Sequence, residues 1–269
     1  MKFAERISVI LFIAVLAIFT QDAVGQNLRK VNNTSFQRGE KIVYRVYYDS
    51  WVLSNVTAGE ASLEIMQNNE KVAGRNTLHV VGIGKTKGLF NLFFKVVNRY
   101  ETYIDEEAIA PLIFIRRINE GGYIINQDVY FNHYTNKAKS NTATVDVAPY
   151  VQDIISAFYF ARTYDFANAK VGDEYDVTFF LDDSVYVSKI LYDGKEVVSN
   201  RMGTFNTLRF KPMVLTGTVF KQPYPMTLWI SDDKNKIPIM LESGILVGSV
   251  KMELIDYSGL KNPITSKIR

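Results

Sequence analysis

The chain has no cysteine among its 269 residues, only two histidines and two tryptophans, and no excess of either charge. Without cysteine there is no disulfide, no thiolate metal site and no cysteine nucleophile. A lipid anchor of the bacterial type, which is attached to a cysteine at the cleavage site, is excluded on the same ground. Stability must come from a packed core, and the chain is long enough to build one. His79 and His133 stand far apart, and no closely spaced carboxylate completes a metal-ligand pattern, so no metal or other cofactor is expected. Lys and Arg number 31 against 28 Asp and Glu, a formal charge of +3. Adjacent basic residues occur only as Arg29-Lys30 and Arg116-Arg117, while Lys234 and Lys236 follow Asp232 and Asp233. Nucleic acid, which demands clustered basic residues, is therefore not an expected partner. Beyond residue 25 no apolar run approaches the roughly 20 residues of a transmembrane helix.

What is present begins at the N-terminus. Lys2 and Arg6 precede an unbroken apolar run from Val9 to Phe19, then Thr20-Gln21-Asp22 and the small residues Ala23 and Gly25. That order predicts a secretory signal peptide over residues 1–25, with cleavage after Gly25. The protein is then expected to be exported, and periplasmic or loosely associated with the envelope. Residues 26–38 are polar and Asn-rich, and are expected to form a flexible segment. Residues 39–260 read as a single β-rich domain, and 261–269 as a C-terminal tail.

Tyr 16 and Phe 17 make up most of a 13% aromatic share, which suits half-buried sheet surfaces. From Lys41 the pattern has period two: Ile42, Tyr44, Val46 and Tyr48 on one face, Val43, Arg45 and Tyr47 on the other. Ala61, Leu63 and Ile65 alternate with Glu60, Ser62 and Glu64. Leu112, Phe114 and Arg116 alternate with Ile113, Ile115 and Arg117. Gly121-Gly122 predicts a tight hairpin to Tyr123–Phe131, and Asp193-Gly194 predicts another. Further strands fit 206–214, 227–230, 237–241 and 249–257, with Pro238 pointing to an edge strand. After Pro149 the spacing of Val151, Ile154, Ile155, Phe158 and Arg162 predicts a helix over about 150–164. KGLFNLFFK, residues 87–95, reads as a short helix or equally as a strand. The expected fold is mainly β, a large curved antiparallel sheet or open barrel with one central helix.

Seven segments in order, FQRGEKIVYRVYY, AGEASLEI, YETYID, PLIFIRRINEGGY, DIISAFYFAR, WISDDKNKIPIML and VKMELIDYSG, span Phe36 to Gly259. Their ordered series resembles domain of unknown function 3108. The resemblance implies an exported bacterial envelope protein without an assigned activity. A broader similarity is to the periplasmic lipoprotein-carrier fold, a curved sheet around helices whose concave face holds acyl chains. This chain departs from it in length and in having one clear helix.

No catalytic constellation emerges. Asp105-Glu106-Glu107, Asp182-Asp183 and Asp232-Asp233 are adjacent acids in turn contexts, neither flanking one scissile bond nor spaced as a calcium loop. Ser156 lacks a nucleophile elbow and a neighbouring histidine. GIGKTKG would be a phosphate loop only if glycine stood at His79. The aromatics are more suggestive. Tyr44, Tyr48, Trp51, Phe90, Phe93, Phe94, Phe114, Phe158 and Trp229 are candidates to line a concave hydrophobic face, or else to fill the core. Arg45, Arg116 and Arg117 are candidates to meet an anionic head group at its rim, or else ordinary strand residues. The leading expectation is a non-enzymatic envelope protein binding a hydrophobic or amphiphilic ligand, lipid or lipoprotein-like, or an envelope protein partner. The alternatives are an interaction or scaffold module with a filled core, and a carbohydrate-directed binder or enzyme. An exposed GLFNLFF would itself demand a membrane, lipid or protein partner.

Overall fold

The computed structural model describes residues 27–51, 54–213, 223–244 and 248–268. The expected signal peptide lies outside them. Among the described residues, fifteen strands form one antiparallel sheet. Its first half in sequence comprises β1 (Lys41–Asp49), β2 (Val56–Ile65), β3 (Glu70–Val72), β4 (Arg75–Thr86), β5 (Val97–Asp105), β6 (Ala110–Glu120), β7 (Tyr123–Asn132), β8 (Lys137–Lys139) and β9 (Thr144–Asp146). Its second half comprises β10 (Glu174–Leu181), β11 (Ser184–Asn200), β12 (Gly203–Pro212), β13 (Met226–Ser231), β14 (Pro238–Gly244) and β15 (Ser249–Ser258). A four-residue helix α1 (Phe90–Phe93) interrupts the first half, and α2 (Ile154–Ala161) separates the two. Across the sheet the order is β10 to β15, then β1, β2, β4 to β9, with β3 attached to β4. The mainly-β class read from the period-two pattern is the class observed.

The sheet curls until its ends meet. Phe180 of β10 packs among Phe114, Val129, Phe131 and Ala138 of β6 to β8. The Phe131 and Phe180 rings meet edge to face at 5.9 Å. Arg116 pairs with Asp182, and the Thr142 hydroxyl donates to Asp183, across the same seam. The edge strands β9 and β10 are not paired with each other, so hydrogen bonding does not close the barrel. The backbone of Gln152 pairs with β10 instead, donating to Thr178 O at 3.0 Å and accepting from Phe180 N at 2.7 Å.

The interior is filled by α2. Asp153 caps it, its Oδ1 accepting from the amides of Ile155 (2.7 Å) and Ser156 (2.8 Å), while Ser156 Oγ accepts from Asp153 N (2.8 Å). This reciprocal pair is a capping box, which accounts for a hydroxyl at position 156. The helix is shorter than the 150–164 expected. Tyr150 has a left-handed backbone (φ 57°), and Gln152 is committed to β10, so the helix cannot begin before Asp153. Tyr159 is fully buried among Phe36, Ile65, Leu78, Val80 and Ile104. Phe158 reaches the cluster of Ile42, Tyr44, Phe205, Ile239 and Leu254.

At the helix end Arg162 is 3% exposed and its partner Glu40 0%. Nη1 and Nη2 of Arg162 donate to the two Glu40 oxygens at 2.5 and 2.8 Å. Nε donates to Asn235 O (3.0 Å) and Nη2 also to Ser35 O (3.3 Å). Burial pulls the Arg162 pKa down, but the charge and hydrogen bonds of Glu40 outweigh it and hold the guanidinium above its ordinary value.

Four sequence expectations are corrected. Residues 27–38 are not loose: Leu28, Ser35 and Phe36 are buried, and Val31 N donates to Glu107 O. Asp193-Gly194 is not a hairpin turn but a bulge inside β11, where the register against β12 slips at Gly194 (φ 110°). The hairpin turns instead after Asn200, whose Oδ1 accepts from Met202 N. Pro238 lies on a central strand, tolerated because it is the first residue of β14 and sits at a register shift. β12 ends at Pro212, and the expected strand residue Val214 lies outside the described set.

Two outcomes follow for unfolding measurements. Glu40→Ala or Arg162→Met alone strands one buried charge, and each is expected to cost about 3 to 5 kcal/mol in urea unfolding. The double variant Glu40→Leu/Arg162→Met should be markedly more stable than either single one; equal losses throughout would contradict the ion-pair account. Asp153 is fully buried, and desolvation raises its pKa to about 6 against hydrogen bonds from Thr102, Ser156 and Ile155 that lower it. A carboxyl with a raised folded pKa contributes stability that is complete below the unfolded value near 3.8 and is lost as pH rises through about 6. Asp153→Asn keeps the cap and mimics the protonated form, so it should gain on the wild type above pH 6, by about 3 kcal/mol, and match it in acid. A difference independent of pH would refute the assignment.

Candidate functional site

The antiparallel register sends alternate connections to the same end of the barrel. Asp49 pairs with Ser249, Gly59 with Thr86, Lys85 with Val97, and Val96 bridges Glu120. The β1–β2, β4–β5 and β6–β7 connections therefore emerge side by side. The first two carry large apolar side chains into solvent, and β7 opens with the same character directly after the third. Trp51 is 92% exposed, Leu92 77% and Phe93 87%. Leu89, Phe94, Tyr123 and Ile124 are exposed as well. Helix α1 buries none of its residues.

These tips are held, not dangling. Gly121 N donates to Lys95 O (2.9 Å), joining the β6–β7 turn to the β4–β5 connection. The Phe94 ring lies so close over Gly121 that an added Cβ would collide with it. Gly121 and Gly122 both have positive φ (59° and 95°), as a two-residue hairpin turn requires. Lys87 N donates to Ala58 O, which ties the same connection to β2. The β14–β15 connection leaves from this end too; its residues 245–247 lie outside the described set, and their sequence is Ile-Leu-Val.

The opposite end carries several polar networks, beside exposed Tyr134, Val171 and Ile268. Asp105 pairs with Arg75 and accepts from the amides of Glu107 (3.0 Å) and Ala108 (2.8 Å). Arg38 grips Glu106 through both terminal nitrogens, at 2.6 and 2.8 Å. Asp233 accepts from Ser231, Asn235 and Ser266, and Asn235 holds Asn262. The DDKNK turn is thus a clamp on the C-terminal segment.

The candidate aromatics are dispersed rather than gathered on a concave face. Tyr44 and Phe114 are core residues in different clusters, and Phe158 belongs to the helix that occupies the concavity. Trp229 is 8% exposed on the opposite face from Leu228 and Ile230, its Nε1 donating to Glu196 at 2.9 Å. Tyr48 is half-buried near the end of β1. Trp51, Phe90, Phe93 and Phe94 lie at the apolar end. The arginines do not form a rim. Arg45 is buried and donates to Thr57, Asn55 and Glu253; Arg116 is buried against Asp182. Arg117, half-exposed, pairs with Asp128 at 2.6 Å. Sequence reasoning flagged GLFNLFF but missed Tyr123 and Ile124. Their signal was an apolar pair directly after turn glycines, where polar residues are usual.

The two histidines are both engaged. His79, on β4, stacks on Tyr103 (4.3 Å) and binds Glu101 Oε2 at 2.8 Å. His133, in the β7–β8 turn, donates from Nε2 to Pro111 O at 2.7 Å, and burial lowers its pKa. Among the described residues no group of three or more His, Cys, Asp or Glu is placed to hold a metal. A cleft of about 560 Å³ beside the DDKNK turn is lined by Phe166, Lys195, Asp232 and Lys236. Lys195 pairs there with Asp232 at 2.8 Å, and Lys236 donates to the carbonyl oxygen of Arg162 at 3.2 Å. Smaller clefts of about 320 and 410 Å³ flank Arg45 and Arg201.

The family model described as a protein of unknown function, DUF3108, matches residues 43–255. The chain belongs to the DUF3108 family. Among solved structures, this DUF3108 chain is similar to a β-barrel-like protein of domain of unknown function DUF1849 from Brucella abortus. That likeness has 13% identity and a TM-score of 0.55, and covers 86% of this chain and 99% of the other. It shows a shared barrel-like fold. A candidate lipoprotein from Parabacteroides distasonis ATCC 8503 matches at 12% identity and a TM-score of 0.36, over 87% of this chain and 100% of that one. The comparison with curated proteins gave no match. No catalytic activity is indicated for the family.

The two tryptophans report on this geometry. Iodide should quench Trp51 and spare Trp229, so Trp51→Phe is expected to abolish most quenchable emission and Trp229→Phe to preserve it. Equal quenching in the two variants would contradict the exposed tip.

Proposed function

We propose that this DUF3108 chain is an exported, non-enzymatic envelope protein that takes hold of hydrophobic or amphiphilic envelope material through the apolar end of its barrel. The observation that carries the reading is the row of solvent-exposed tips on three neighbouring connections, with Trp51, Leu92 and Phe93 at its most exposed points. Contiguous apolar surface of this kind on a folded protein marks an interaction site. Burying Leu92 and Phe93 alone would contribute about 3 to 6 kcal/mol before the costs of association. Export is supported by the character of residues 1–25. The concave face, filled by α2, is not the place of binding in this reading.

A second reading, a protein-interaction module, is favoured by the packing of α2 against the inner face of the sheet. The two separate in one experiment. The protein is purified gently from its own cells, weighed by native mass spectrometry, then titrated with a monomeric lysophospholipid below its micelle threshold. A lipid-sized adduct or a saturable blue shift of Trp51 emission is expected. A bare mass with no spectral change would remove the amphiphile reading and leave the protein module.

A further inference from the structure

Between Glu70 and Glu101 the chain has no acidic residue, yet it contains Lys71, Arg75, Lys85, Lys87, Lys95 and Arg99. Lys85, Lys87 and Lys95 flank the apolar hexapeptide Leu89–Phe94 on both sides. Lys85 and Lys87 share one carboxylate, Glu60, and their side chains remain about half exposed, at 49% and 46%. Lys95 is exposed and has no ion-pair partner among the described residues. The apolar tips of the β4–β5 connection thus project beyond three lysines, with Glu60 and Glu120 at the same end.

The exposed apolar side chains rise from separate connections. A single acyl chain would touch only some of them, whereas a fluid hydrocarbon surface accepts each independently. Trp, Tyr and Phe with lysines set just behind them are the residues that settle at a bilayer interface, the ammonium groups reaching back to head groups. Among the described residues no helix is long and apolar enough to cross a membrane. The outward-facing residues Glu60, Glu64, Arg99, Glu101, Arg117 and Asp128 are charged, the reverse of the apolar band that a bilayer-spanning barrel presents. Contact therefore comes from the end of the barrel.

We infer that this end docks on the surface of a lipid bilayer containing anionic head groups. The tips of the β1–β2, β4–β5 and β6–β7 connections enter the interface, and Lys85, Lys87 and Lys95 face the phosphates. The inference rests on the amphiphile-binding reading above and names its partner.

The test is co-sedimentation of the full protein, purified from its own cells, with vesicles of phosphatidylcholine with and without phosphatidylglycerol, followed by Trp51 emission. Sedimentation with the mixed vesicles and a blue shift are expected, both weakened by added salt. Leu92→Ser/Phe93→Ser alters only exposed side chains, and should lower vesicle affinity by about tenfold or more while leaving thermal unfolding unchanged. Lys95→Glu should weaken binding to the anionic vesicles alone. Protein that stays in the supernatant with both vesicle types overturns the inference. So does binding unaffected by the double serine variant, or a soluble protein–lipid complex released from the vesicles. Sedimentation with native envelope membranes but not with vesicles of their extracted lipids would assign the surface to a membrane protein and also overturn it. If lysophospholipid monomers bind and vesicles do not, docking fails and the amphiphile reading stands; if neither binds, both fall.

Discussion

The buried pair of Arg162 and Glu40 is the point on which the rest of the structure turns. A guanidinium fully removed from water is tolerable only when its donors are met. Here they are met by the start of β1, the N-terminal segment at Ser35 and the β13–β14 turn at Asn235. The aromatic faces of Phe36, Phe158 and Tyr159 lie within 5.2 to 5.4 Å of the same group. One cation at the C-terminus of α2 therefore holds together three parts of the chain that are remote in sequence: residues 35–40, the helix and Asn235. Asn235 extends the network to Asn262, and Asp233 to Ser266, so the C-terminal segment is anchored through it.

That anchoring explains how an unclosed sheet keeps its shape. A barrel with paired edges needs no filler, but here β9 and β10 remain unpaired. The seam is sealed by Gln152, by the aromatic contact of Phe131 with Phe180, and by the Arg116–Asp182 pair. The helix entering at Asp153 is fixed at its start by the capping box and at its end by Glu40. The helix thereby joins the clusters of both halves of the sheet into the core.

The two ends of the barrel differ in character. The division is built into the antiparallel order, since alternate connections must emerge on opposite sides. Trp51, Leu92 and Phe93, the most exposed large apolar residues, stand on connections of one side, and the proposed interaction uses them.

Much of this was legible in the chain. Alternation in LIFIRR and KIVYRVYY, the Gly121-Gly122 turn and the absence of any motif for catalysis or metal binding gave the β class and narrowed the function. The GLFNLFF segment announced itself because such a run is rare outside a core. What local pattern could not give was the fate of each side chain. Asp193-Gly194 looks like a turn, but became a bulge because the hairpin had room to continue to Asn200. Arg45 and Arg116 look like surface residues, but are buried because Glu253 and Asp182 arrive from far along the chain. Phe114 and Phe93 are indistinguishable as letters; one is core and the other solvent-facing because strand order, not composition, decides what lies opposite. Sequence alone determined the period of the strands, hence the class of fold, because side-chain alternation is a local property of an extended backbone. Only the tertiary structure decided where the apolar surface was left over, because burial depends on contacts between residues whose separation in sequence carries no such information.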